Sequence, residues 1–118
     1  MSISGVQPVD AASAGRVWMS VRGASMQPLL CPGDRVLVDL ARAWSCGDVV
    51  VVGGRRGLIV HRVVAVAGAR VFTKGDAVDH CDRPVSRTAI IGVVIRIRRR
   101  RWWGQWQELE VCSALEHS

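Results

Sequence analysis

The sequence predicts an all-β domain folded as a partly closed barrel or coiled sheet, and three observations carry that reading. Hydrophobic residues make up 49% of the chain, led by Val, Leu and Ile, enough to fill one core. They fall in short β-branched runs, one of them in clear period-two alternation, rather than at the three-and-four spacing of amphipathic helices. Glycines, 12 in all, punctuate these runs at hairpin distance. A chain of 118 residues has room for one domain with a real core and no room for two.

Residues 1–15 are small and polar and read as a flexible leader. "RVWMSV" (16–21) is the first strand and runs into "RGASMQPLLCPGD". Within that loop "SMQPLL" (25–30) suits one short helical turn, and Pro32-Gly33-Asp34 turns the chain into the next strand. "DRVLVDL" (34–40) alternates, with Val36, Val38 and Leu40 on one face and Arg35, Leu37 and Asp39 on the other. "DVVVVGG" (48–54) and "GLIVHRVVAVAG" (57–68) form a hairpin across the glycines from Gly53 to Gly57. "RVFTKGD" (70–76) and "TAIIGVVIRIR" (88–98) complete the set, so the domain is placed at 16–98. Residues 99–118 form a basic, Trp-rich tail, in which "WGQWQELEVCSALE" (103–116) is the other helix-like stretch.

Several classes fall away on composition. The amino-terminal stretch lacks a basic region followed by an apolar core, and no window holds ~18 apolar residues without a charge. The expectation is a soluble cytoplasmic or peripheral membrane domain without a signal peptide or spanning segment. Cys31, Cys46, Cys81 and Cys112 contain no CxxC pair, which argues against zinc and for reduced, mostly packed thiols. Net charge is +6, and 15 of the 16 cations are Arg, leaving Lys74 as the single lysine.

The chemistry centres on Ser25. A serine hydroxyl becomes a nucleophile when a neighbouring group takes its proton, and histidine suits that task near neutral pH. Of the three histidines, His117 lies in the tail and His80 in a polar loop, whereas His61 sits inside an apolar strand with Ile59, Val63 and Ala65. Asp76, Asp79 and Asp82 follow in "KGDAVDHCD", where any of them could be a turn former or the carboxylate that orients an imidazole. Lys74 is a poor base beside its turn glycine, because it would need burial to lose its proton at neutral pH. A serine–lysine pair nonetheless stays open as an alternative.

Taken together, "GASMQPLLCPGD", "IVHRVV" and "FTKGDAVDHCD" resemble type I signal peptidases, most closely the archaeal and endoplasmic-reticulum branch with histidine in place of the bacterial lysine. The matching positions are Ser25-Met26, Pro28, Gly33-Asp34, His61-Arg62, Lys74-Gly75-Asp76 and Asp82, spanning about residues 17–97. The resemblance implies the fold shared by LexA and the signal peptidases, Ser25 as nucleophile, His61 as general base and Asp82 as its orienting acid. Asp76 would support the loop with Lys74 or Arg62, and Met26 would serve as core or as a pocket wall. It also implies peptide or protein substrates with small residues before the cut, bound as an added strand, and no cofactor or metal. Two departures stand out. Gly23 occupies the position where the family commonly has an oxyanion-hole serine, and no spanning segment precedes Ser25.

"RIRRRRWWGQW" (96–106) puts five Arg beside three Trp. Read alone, it is a strand end followed by a solvated charge run, or a peripheral membrane contact. Nucleic-acid binding ranks lower, since no reading motif is present, and no nucleic-acid partner is expected. Two rival functions therefore stand beside a serine endopeptidase cutting signal or leader peptides. One is a self-cleaving LexA-like regulatory domain with Ala14-Gly15 as its bond, and the other a non-enzymatic basic β-domain binding membrane or nucleic acid.

Overall fold

The computed structural model describes the backbone of residues 3–8 and, with side chains, residues 15–55 and 57–111. Among the described residues nine strands follow one another: β1 Ile3–Pro8, β2 Arg16–Val21, β3 Arg35–Asp39, β4 Val49–Gly54, β5 Gly57–Ala67, β6 Arg70–Lys74, β7 Val85–Ser86, β8 Ile90–Arg100 and β9 Trp106–Leu109. All pairings are antiparallel, in the order β1-β2-β3-β8-β4-β5-β6-β7. β8 is long enough to serve three partners. It pairs β3 on one edge, β4 through its first half on the other, and β9 beyond that. The sheet curls until β1 comes alongside β5, yet among the described residues no ladder joins those strands and the barrel stays open.

The valine run of β4 explains why the sheet curls. Val49 and Val51 point into a core with Met19, Met26, Leu30, Val36, Val60 and Ile97, among others. Val50 and Val52 point the opposite way, to Val63, Val71 and Val93. A strand covered on both faces has no need of alternation, so an unbroken β-branched run is what it requires.

The six strands expected from the sequence fall within two residues of their expected ends. Four segments differ, the smallest being the two-residue strand Val85–Ser86, which pairs β6 where the sequence reading places no strand. Ile3–Pro8, inside the expected leader, pairs with β2. The expected tail begins inside β8, and β9 returns along it from a turn at 101–105, with Gly104 at φ 87. The helix expected over 103–116 is thus a strand at Trp106–Leu109, because the open edge of β8 offers a ladder that overrides the local helical preference of Gln, Glu and Leu. Residues 112–116 of that stretch lie outside the described residues. Cys31, Cys46 and Cys81 are free thiols, but Cys46 and Cys81 are exposed rather than packed, and Cys112 lies outside the described residues.

The arginine run is not a uniform solvated stripe. Ile97 and Arg99 share an inward face by strand alternation, and Arg99 reaches Asp34. On the outward face Arg98 stacks on Trp18 at 4.5 Å, and Arg35 stacks on Trp106 at 4.4 Å.

Candidate active site

Ser25 sits in a loop closed at its neck. Val21 N–H donates to Asp34 O at 2.8 Å and Gly33 N–H to Val21 O at 2.9 Å, so the end of β2 and the start of β3 stay together while residues 22–33 bulge out. One helix-type bond, Leu30 N–H to Met26 O at 2.9 Å, makes a single turn after Ser25. Met26 and Leu30 plug that turn into the core. Gly23 lies at φ 83, a backbone region that a side chain would strain, so glycine there has a local structural reason.

Beneath the loop, Asp34 is 2% exposed and takes a hydrogen bond from Cys31 N–H at 2.8 Å. Its carboxylate receives Arg99 Nε at 3.0 Å and Arg99 Nη2 at 2.9 Å, and the same Nη2 donates to Leu29 O at 3.2 Å. The hydrogen bonds to Asp34 hold the Arg99 pKa above its ordinary value. A planar guanidinium thereby ties the Ser25 loop to β8.

β5 brings His61 to Ser25. The residue is 7% exposed, and Nε2 lies 3.0 Å from Ser25 Oγ. On its far side Nδ1 meets Asp82 Oδ2 in a short contact. A carboxylate accepts only, so Nδ1 carries the proton and Nε2 is left to accept from the serine hydroxyl. Burial lowers the His61 pKa below its ordinary value, against the opposing pull of the hydrogen bond to Asp82.

The acid loop between β6 and β7 closes the cluster. Asp82 N–H donates to Thr73 O at 2.8 Å, and Thr73 Oγ1 donates back to Asp82 Oδ2 at 2.9 Å. Thr73 is thus a positioning residue absent from the sequence reading. Its available signal was an inward strand position beside Val71, a place where a threonine must find a partner. Ala77 N–H donates to Ser25 O at 2.8 Å, docking this loop on the serine's own backbone. Gly75 makes that approach feasible, since a Cβ there would stand 2.6 Å from Ser25 O and 2.9 Å from Ser25 Cβ. Asp76 is held by Arg62, through Nε at 2.9 Å and Nη2 at 2.8 Å, while Arg62 Nη1 reaches Gly47 O at 2.7 Å. Asp76 N–H points at Met26 Sδ, 3.3 Å away, so the buried Met26 touches both loops.

The remaining expected residues fall outside this line of contacts. Lys74 Nζ donates to Gly75 O at 3.1 Å, whereas the hydroxyl of Ser25 faces His61. His80 and Asp79 face each other on the exposed part of the loop. His117 lies outside the described residues.

The family model for signal peptidases, peptidase S26, matches residues 12–99, most of the chain and every residue of the cluster. The chain belongs to that family. It is a family of peptidases, whose substrates are peptides or proteins. No curated protein and no solved structure matches the chain.

Proposed function

We propose that the chain is a serine endopeptidase of the signal-peptidase type that cuts signal or leader peptides after small residues. One observation supports this above the others: Ser25 Oγ, the two ring nitrogens of His61 and Asp82 Oδ2 form an unbroken line of hydrogen bonds. His61 Nε2 takes the Ser25 proton as Oγ attacks the scissile carbonyl carbon, and Asp82 steadies the imidazolium that results. The tetrahedral oxyanion is met by backbone N–H groups of the turn at Ser25 and Met26. Nε2 then returns its proton to the leaving amine, leaving an ester on Ser25. Water, deprotonated by His61, hydrolyses that ester and restores the hydroxyl.

Cleavage of a leader peptide by Ser25→Ala and His61→Ala proteins tests this reading. Loss of cleavage in both supports it, and full turnover in either rejects it. The self-cleaving alternative loses ground to geometry. Gly15 O accepts from Leu40 N–H at the start of β2, and Ser25 lies beyond the other end of that strand, about 20 Å along it.

The hairpin between β8 and β9 suits contact with a membrane surface. Trp102 is 92% exposed and Trp103 54% exposed at its tip, with Arg100 and Arg101 alongside. No helix among the described residues is long and apolar enough to cross a membrane. Co-sedimentation with anionic vesicles that Trp102→Ala/Trp103→Ala abolishes would support the contact, and unchanged sedimentation would reject it.

A further inference from the structure

Any peptide cut by Ser25 must lay its backbone within reach of both Ser25 and His61. Two strands deliver those side chains: β2, which runs into the Ser25 loop, and β5, which carries His61. One edge of β2 is hydrogen-bonded to β3, while on β5 the strand β4 covers one edge over residues 57–62 and β6 the other over residues 62–67, so that only short stretches of β5 edge stay unpaired. The remaining place for an extended peptide is the other edge of β2, on the side that faces β5. That place is filled by the chain itself. β1 pairs there, with Ile3 opposite Val21 at the Ser25 end and Pro8 opposite Val17 at the far end, and it lies alongside β5.

We infer that residues 3–8 are a built-in occupant of the peptide groove, so that substrate binds by displacing β1 from β2. The inference rests on the peptidase reading for the identity of the competitor, but the occupancy itself does not. β1 is the outermost strand of the path and is joined to β2 by residues 9–15, "VDAASAG". Leaving the groove therefore breaks one ladder and exposes no second one. The register irregularity between Ser4 and Val6 interrupts that ladder within its six residues. A short tether gives an intramolecular strand a high effective concentration, so it competes well against dilute peptide even when its own contacts are weak.

The expected size follows from population arithmetic. A groove open about a tenth of the time binds an external peptide about tenfold more weakly than an open one. The first arm of the test needs no turnover. A fluorescein-labelled peptide of residues 2–8, SISGVQP, is titrated by anisotropy into the Ser25→Ala chain and into the same chain lacking residues 2–8. Binding about tenfold tighter to the shortened chain supports the inference, and equal binding, or none to either, overturns it.

The second arm uses the active chain. Removal of residues 2–8 lowers KM for a leader peptide by about the same factor with kcat unchanged, and added SISGVQP then inhibits competitively. An unchanged or raised KM in a shortened chain that still unfolds cooperatively shows that β1 is a structural strand and overturns the inference. Should the shortened chain not fold, Gln7→Pro in the full chain weakens the β1–β2 ladder, since its partner Trp18 belongs to the alternate set of β2 residues that turn their backbone groups to β1, whereas Val21 belongs to the set that turns to β3. It lowers KM in the same direction by a smaller factor, and an unchanged KM counts against occupancy. If the full chain cuts no leader peptide at all, the peptidase reading fails and the anisotropy arm alone decides occupancy.

Discussion

Asp34 and Asp82 sit on either side of the same serine, each bound to a cation or potential cation, and the two pairs behave differently. Asp34 faces a guanidinium that stays protonated at every relevant pH, with its pKa pushed further up by the contact. Asp82 faces an imidazole whose pKa burial has brought down, so that partner changes charge under mild conditions. A permanent ion pair fixes the shape of the Ser25 loop, and a titratable one can pass a proton through it. The fold keeps the two apart by hanging them on different strands, Arg99 on β8 and His61 on β5.

The comparison breaks most sharply at the proton path. Ser25→Ala and His61→Ala are each expected to lower kcat by about 10⁴-fold or more, with the double substitution hardly worse than either, because the groups act as one unit. Single-turnover cleavage of a leader peptide checks this, and additive losses would deny the coupling. Next in size is Gly75→Ala. The added Cβ meets backbone and side-chain atoms of Ser25 at 2.6 and 2.9 Å, so the acid loop and the serine must part. A shift of ~1 Å at the reacting atoms costs about 10²-fold in kcat, and circular dichroism should show the sheet intact.

The clamp predicts the opposite signature. Arg99→Met leaves the buried Asp34 carboxylate without its partner, which destabilises the fold by about 3 kcal/mol, the low end for breaking a buried pair since Arg99 is partly exposed. Urea unfolding reads that loss. In the folded fraction kcat should fall far less than in the Ser25 and His61 variants, because Arg99 acts only through the loop and no atom of it lies on the proton path. A variant as stable as the parent would show that Asp34 is held by other means.

The sequence made one of these regions readable and hid much of the other. Ser25, His61 and Asp82 are separated by 36 and 21 residues, and no local spacing joins them. What made them legible was the order of three short blocks, each with its own turn residues. Short β-branched runs bounded by glycines placed the strands, and alternation over 34–40 set the buried Val36 and Val38 apart from Arg35 and Asp39. Arg99 was hidden inside a run of like residues. The clue lay in counting two positions from the inward Ile97, which makes Arg99 an inward charge that needs a buried partner. β1 and β9 were missed for another reason. Both are short strands stabilised by an edge provided elsewhere in the chain, and their own residues carry little β pattern.

The smallest effect concerns pH and sharpens the comparison at a single hydroxyl. Only neutral His61 accepts the Ser25 proton, and burial lowers its pKa, so the acid limb of kcat/KM should fall below the ordinary histidine value. The linked stability has the same sign. The folded chain holds fewer protons than the unfolded one between the two pKa values. The His61 contribution is therefore complete above the unfolded histidine pKa and is lost as pH falls towards the folded one. Thr73 Oγ1 donates to the same Oδ2 that meets His61 Nδ1, and so shares the charge that would hold an imidazolium. Thr73→Val returns that charge to His61 and should raise the acid limb, while kcat on the plateau drops about tenfold for the lost hydrogen bond to a charged group. Thr73→Ser, which keeps the hydroxyl, should restore both. A Val variant with lowered kcat and an unmoved limb would mean that Thr73 merely packs beside Asp82 and does not tune it.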